Sequence, residues 1–269
     1  MDKLSQTLIP VLSSIALLLA TTARSQTTSF QYDFNGGPQP SDLVYQGDAH
    51  FPSDSTYLRL TKTDNNGNAL ASSVGRAVYS KPITLWEAGA QVDLETIVEF
   101  IIHPKSGDSN PADGLTFFIQ PFGSPIGDVG TAFGVFDKSG LNQSVFAVEF
   151  DIYPNSGLDP SYRHVGIDIG SQVSKNTTDV ENAILGQVVT ARIDYEEATK
   201  LISVHVTAGS KTYEVSHVYD LSTILPQQVQ VGISASTGAE VAVHDLISWY
   251  FTSTLVHTGA NIRQYVSKD

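Results

Sequence analysis

Residues 149–164 read Glu-Phe-Asp-Ile-Tyr-Pro-Asn-Ser-Gly-Leu-Asp-Pro-Ser-Tyr-Arg-His. The first part of this run continues an apolar strand, Phe146-Ala147-Val148-Glu149-Phe150-Asp151-Ile152-Tyr153. Side chains two apart on a strand share a face, so Glu149, Asp151 and Tyr153 are expected to point the same way. Two carboxylates on one face, separated only by apolar neighbours, repel each other unless a cation lies between them. The second part turns on Pro154, Gly157 and Pro160 and returns Asn155, Asp159 and His164. A solvated turn after an edge strand accounts for the prolines and the glycine. It does not account for two acids inside a hydrophobic strand or for a histidine at the return. Carboxylate, amide and carbonyl oxygens suit Ca2+, and one imidazole added to carboxylates suits a transition ion such as Mn2+. Asp151 and Asp159 have two oxygens each and can bridge both ions. The run therefore predicts a two-metal site on a strand and the loop that follows it.

Working outward, strand-like runs bounded by Gly, Pro, Asn, Asp or Ser recur along the chain. They fall at 57–62, 76–80, 96–102, 115–120, 144–153, 164–169, 188–195, 201–207, 211–218, 228–234 and 245–254. Residues 64–68 form a turn cluster, 208–210 a hairpin connection, and only 220–225 suggests a helical turn. No repeat, low-complexity run or interdomain linker interrupts the series. Many short strands at regular spacing predict an all-β chain folded as a single β-sandwich.

The first 25 residues read differently. Lys3 begins a charged start, 12–20 is a short apolar run, and Ala23-Arg24-Ser25 offers small residues for cleavage. This is the pattern of a secretory signal peptide, too short to span a membrane. The mature domain is then 26–269, exported to the extracellular space or the vacuole, with a polar tail after about residue 255 that is either an ordered end or trimmed. The chain has 269 residues, no cysteine and a formal charge of −13. Stability without disulfides must come from core burial, metal binding and association. Such acidity argues against nucleic acid and anionic membranes as partners. Asn142-Gln143-Ser144 and Asn176-Thr177-Thr178 fit the N-glycosylation pattern, which makes Asn142 and Asn176 the candidate sites.

With these segments in view, nearly all of the mature chain resembles the legume lectins. The resemblance is carried by 58–62, Leu-Arg-Leu-Thr-Lys; 73–80, Ser-Val-Gly-Arg-Ala-Val-Tyr-Ser; and 111–118, Pro-Ala-Asp-Gly-Leu-Thr-Phe-Phe. Further on it is carried by 148–151, Val-Glu-Phe-Asp; 164–169, His-Val-Gly-Ile-Asp-Ile; 231–238, Val-Gly-Ile-Ser-Ala-Ser-Thr-Gly; and 246–249, Leu-Ile-Ser-Trp. It implies a concanavalin-like jelly roll of two large antiparallel sheets and a small third one. It also implies carbohydrate binding without catalysis, glycans and glycoproteins as partners, and a homodimer or homotetramer. By the family's motifs, Glu149, Asp151, Asp159 and His164 correspond to Mn2+ ligands. Asp151, Asn155, Asp159 and the Tyr153 carbonyl correspond to Ca2+ ligands. Ser171 lies near the serine that holds a metal-bound water. For the sugar, Asp113 corresponds to the acceptor of two hydroxyls, Asn155 to an amide donor and Tyr153 to the ring platform, with the Ala112–Asp113 bond cis.

One loop departs from the family's pattern. Ungapped matching puts Thr131 where the family has the glycine whose N–H meets the sugar, with Gly130 one residue earlier. A side chain there is expected to narrow the site or to demand φ values that threonine dislikes. The short loop 238–245, Gly-Ala-Glu-Val-Ala-Val-His-Asp, resembles that of mannose/glucose-binding pea and lentil lectins, where the backbone at the pair corresponding to Ala239 and Glu240 meets sugar hydroxyls. Two other functions compete. A lectin-like storage or defence protein with impaired sugar binding would be explained by Thr131. A jelly-roll glycoside hydrolase shares the Glu149-Phe150-Asp151 pattern, but its second carboxyl on that face is replaced by Tyr153. His244 and the two tryptophans, Trp86 and Trp249, are read as structural.

Overall fold

The computed structural model describes residues 26–257, apart from Pro38 and Asp54. The leader at 1–25 and all of the polar tail beyond His257 lie outside the described residues. Strand formation follows from a period of two. In the segment Ala90–His103, Ala90, Val92, Leu94, Thr96, Val98, Phe100 and Ile102 are buried, while the residues between them are more exposed. Only one face of that segment meets a core, and the alternation says so.

In chain order the strands are β1 (Thr27–Asp33), β2 (Leu43–Gly47), β3 (Leu58–Arg59), β4 (Ser73–Tyr79), β5 (Ile83–Thr84), β6 (Trp86–Glu87), β7 (Ala90–His103) and β8 (Gly114–Pro121). They continue with β9 (Leu141–Asp151), β10 (His164–Ser171), β11 (Asn176–Asp179), β12 (Val188–Glu196), β13 (Leu201–Ala208), β14 (Lys211–Val218), β15 (Gln228–Thr237) and β16 (Val243–His257). One sheet runs β1-β16-β7-β12-β13-β14, with β3 beside β16 and β6 beside β7. The other runs β11-β10-β9-β8-β15-β4-β2, with β5 beside β15. These pairings are antiparallel.

The eleven strand runs read from sequence all contain a strand. The run at 57–62 shrinks to Leu58–Arg59, and β1, β2, β5, β6 and β11 lie where no strand was expected. Edge position explains three of these. β1, β2 and β11 end their sheets, and a strand paired on one side has a weak pattern of its own. The helical turn expected at 220–225 is a short 3-10 turn, Leu221–Thr223, capped by Asp220. A small third sheet, expected from the family resemblance, is not found among the described residues. The short strands β5 and β6 join the two large sheets instead.

The core between the sheets contains Phe100, Phe117, Phe146, Phe150, Trp249 and Phe251. Trp249 is fully buried and donates its indole N–H to Thr96 Oγ1 at 3.0 Å. Trp86 is half-buried and donates to the Leu225 carbonyl. The second sheet also has a covered outer face. There Phe133, Val135 and Phe136, from the loop after β8, pack on Phe118, Val145 and Ala147. Both faces of β9 are therefore buried over Val145–Asp151. This explains why that strand is nearly continuous in apolar residues and why Glu149 and Asp151 lose solvent.

Candidate metal and carbohydrate site

Register places the ligand candidates. His164 stands opposite Asp151 and Gly166 opposite Glu149 on the β9–β10 pair, so all three functional side chains share the outer face. Each is buried. His164 Nε2 lies 2.9 Å from Glu149 Oε1, and one ligand atom from each of Glu149, Asp151 and His164 falls within 4.8 Å of the others. Tyr153 is the exception to the shared-face expectation. β9 ends at Asp151, and the chain bends before Tyr153, which is half-buried.

Burial and like charge dominate the electrostatics. Burial first, then Glu149 and Asp159, push Asp151 well above the usual carboxylate range, against a 2.7 Å bond from the Tyr153 N–H. Burial also raises Asp159, which accepts from Asn155 N at 2.7 Å. Burial alone would lower His164, but Glu149 and Asp159 raise it. Such a cluster is stable when its negative charge is met by protons or by cations.

The loop completes the donor set. Asn155 sits where its amide group is 2.9 Å from the Tyr153 carbonyl oxygen and 3.1 Å from Asp159 Oδ2. With no ion, the amide nitrogen must face those two oxygens. With an ion among them, the amide oxygen, the Tyr153 carbonyl and Asp159 are three hard ligands converging on one point, next to Asp151. That chemistry fits Ca2+. The carboxylate pair with one imidazole fits a transition ion.

A second cluster lies beside this loop. The Ala112–Asp113 peptide is cis, as the resemblance implied. The Asp113 carbonyl accepts from Ile152 N at 3.0 Å, directly behind the metal loop. Its side chain is only 5% exposed, and Oδ2 has no hydrogen-bond partner. Burial pushes Asp113 up to about 7, opposed by a bond from the Gly238 N–H and reinforced by Asp159. A buried acceptor without a partner at a loop junction calls for a donor from outside the chain. Gly114 is required here. Its φ is +145°, and a Cβ would stand 2.2 Å from the Phe150 carbonyl oxygen.

Gly130, not Thr131, carries the special backbone. Gly130 has φ +70°, and a Cβ there would lie 3.9 Å from Asp113 Oδ2 and 3.7 Å from the Gly238 Cα. Thr131 is not among the positive-φ residues, and its hydroxyl is directed to Gln172 at 3.4 Å. The strain expected of Thr131 is therefore absent, because the chain places its glycine one residue earlier. Gly238 lies against Asp113, and Ala239 and Glu240 are exposed at the rim. Asp113, Gly130 and Gly238 thus lie against one another, with Ala239 and Glu240 exposed beside them.

Three residues were not anticipated. Asp168, on the same face of β10, is fully buried, and burial followed by Glu149 raises it well above the carboxylate range. Ser174 Oγ lies 2.6 Å from Glu149 Oε1 and 2.7 Å from Asp168 Oδ1. It is Ser174, not Ser171, that reaches the cluster; the Ser171 hydroxyl accepts from Val173 N. The signal for Asp168 was available, since it lies four residues after His164 on a two-residue period. Ser236 is the third. His244 behaves as read, fully buried beside Thr61 at 3.1 Å and pushed down to about 3 by burial. Among the glycosylation candidates, Asn142 is half-buried with its amide on the Val135 carbonyl, and Asn176 is exposed at the sheet edge.

Residues 27–266 match the family model described as legume lectin domain. Agglutinin-2 of Cladrastis kentukea is 38% identical over 96% of this chain and 94% of its own length. A mannose/glucose-specific lectin of Centrolobium tomentosum is 38% identical over 87% of this chain and 98% of its own. The winged bean acidic lectin, solved in complex with methyl-α-D-galactose, superposes with a TM-score of 0.78 at 36% identity, covering 86% of this chain and all of that one. Full-length likeness at this identity, on a fold that brings the ligand residues together, leaves one conclusion: the chain belongs to the legume lectin family and is a non-catalytic carbohydrate-binding protein.

Proposed function

We propose that the chain is a secreted lectin that binds mannose/glucose-type sugars, with a site organised by Ca2+ and Mn2+ or a similar ion. Glu149, Asp151, Asp159 and His164 would hold the transition ion, and Asp151, the Tyr153 carbonyl, Asn155 and Asp159 would hold Ca2+. Bound there, the cations supply the positive charge that lets these buried acids ionise. The chain's own residues do the recognising. Asp113 Oδ2 accepts from sugar hydroxyls, the Asn155 amide donates, Tyr153 offers an apolar face, and the backbone at Gly130, Ala239 and Glu240 closes the rim. The observation that carries this reading is the unpartnered, buried Asp113 Oδ2 beside the convergent oxygens of the 151–159 loop.

The specificity reading rests on the short 238–245 loop and on the mannose/glucose-specific relative; the galactose complex of the winged bean lectin names the competing sugar class. A single site would bind weakly, and a homodimer or homotetramer would add avidity. Export to the extracellular space or the vacuole rests on the leader pattern at 1–25. A storage or defence role with lost sugar binding loses its main support, since Thr131 is turned toward Gln172. The test is glycan-array binding of the mature protein in Ca2+ and Mn2+, repeated after chelation. Mannose-type signals that disappear with chelator support the proposal. Galactose-type signals would overturn the specificity, and no signal in either condition would favour the storage or defence role.

A further inference from the structure

From the hydrogen bonds at the end of β15 we infer that Ser236 is the positioning residue that locks the sugar-contacting glycine to the sugar-accepting aspartate. Ser236 is fully buried. Its carbonyl accepts from the Asp113 N–H at 3.0 Å, and its hydroxyl donates to the Gly130 carbonyl at 2.6 Å. One residue therefore holds both Asp113 and Gly130, which come from separate segments of the chain. Two residues further on, Gly238 packs against the Asp113 carboxylate, where a Cβ would stand 3.2 Å from Oδ2, and opens the 238–245 loop. Asp113 in turn accepts from Ile152 at the root of the metal loop. Ser236 is thus the point where three recognition segments meet on one rigid strand.

The neighbouring residues show how the loop depends on such bonds. The loop that carries Gly130 lies over the outer face of the sheet, and donors rising from the sheet fasten its carbonyls. Arg76 Nη1 bonds the Pro125 and Gly134 carbonyls, each at 3.1 Å, and the Ser234 hydroxyl bonds that of Phe133. These contacts hold the base of the loop. Ser236 alone of these donors reaches the residue beside Asp113. Gly130–Ala132 is a 3-10 turn whose Gly130 carbonyl also accepts from Phe133 N at 3.0 Å, so the turn persists without the Ser236 hydroxyl, but its attachment to the strand does not. A glycine with φ +70° is free to drift once untied, and a recognition group displaced by a fraction of an ångström loses its hydrogen bond.

This inference rests on the carbohydrate-binding reading of Asp113 and Gly130, and its test separates the two. Ser236→Ala, Ser236→Thr and Ser236→Val are compared with wild type in Ca2+ and Mn2+; threonine and valine match in shape and differ by the hydroxyl. Affinity is measured by calorimetry with methyl-α-D-mannopyranoside, or with the monosaccharide that wild type binds on the array. Hydrogen exchange is followed at 128–135. Ser236→Ala and Ser236→Val are expected to weaken sugar binding about tenfold, the size of one well-made buried hydrogen bond, and to speed exchange at 128–135. Ca2+ affinity should be unchanged, and Ser236→Thr should restore both readouts. Equal sugar affinity and equal exchange in the Thr and Val variants would overturn the assignment. If Ser236→Ala fails to fold, the Thr–Val pair carries the comparison. If wild type binds no sugar, the carbohydrate reading fails, while exchange at 128–135 still decides whether Ser236 holds the loop.

Discussion

Replacing Asp113 by asparagine removes a buried charge whose cost can be read from its surroundings. Burial raises Asp113 from 3.8 to about 7. In metal-free protein the native state therefore prefers the protonated acid more strongly than the unfolded chain does. The stabilising effect is fully present below the unfolded value and is lost as pH rises through the folded value. The gap corresponds to roughly 4 kcal/mol at 1.36 kcal/mol per unit. Asparagine keeps the shape and an acceptor for the Gly238 N–H but has no charge to lose. In chelator, Asp113→Asn should thus gain about 4 kcal/mol relative to wild type between about pH 4 and about pH 8. The assay is urea unfolding of both proteins at the two pH values, with m-values compared to verify that the unfolded states match. The same variant should lose sugar binding in Ca2+ and Mn2+, because the unpartnered Oδ2 becomes a donor. A relative gain below about 1 kcal/mol would refute the claim that Asp113 is held uncharged by burial.

Other expectations follow from the same geometry. Burial and the neighbouring acids raise Asp151, and Glu149 and Asp159 raise His164, so metal-free protein holds these protons more tightly than the free groups do. Ca2+ and Mn2+ binding should release them, seen as a dependence of the calorimetric heat on the buffer's ionisation enthalpy; identical heats in all buffers would contradict this. Thr131→Gly should change sugar affinity by no more than about twofold, because the Thr131 hydroxyl points to Gln172, and a large gain by titration would show that the side chain does obstruct the site. Gly114→Ala should destabilise the fold by about 3 kcal/mol or more, since its Cβ would stand 2.2 Å from a backbone oxygen of β9. Urea midpoints equal to wild type would show that the strand can shift.

Much of the candidate site was legible because its proposed metal half is local. Glu149 to His164 is one strand, one loop and the start of the next strand, so periodicity and ligand chemistry suffice to assemble it. The sugar half was legible by position only through the family resemblance. Asp113, Gly130 and Gly238 sit far apart in sequence, and nothing in their local patterns links them. The φ value expected to strain Thr131 is not found, for a related reason. Counting along the chain fixes which residue is near the glycine position, but the backbone's φ is decided by how the loop lies on the sheet beneath it.

The sequence by itself determined the all-β class, most of the strands and the candidate triad Glu149, Asp151 and His164, because alternation and short-range spacing are properties of neighbouring residues. The tertiary structure decided the rest. The pairing of β9 with β10 sets Asp168 near Glu149, and the turn between β10 and β11 brings Ser174 back between them. The loop over the outer face makes a hydrophobic strand bury two acids. The end of β15 brings Asp113, Gly130 and Gly238 together. Each of these depends on register and loop packing between distant segments, where a shift of one residue would turn the same side chains to the other face.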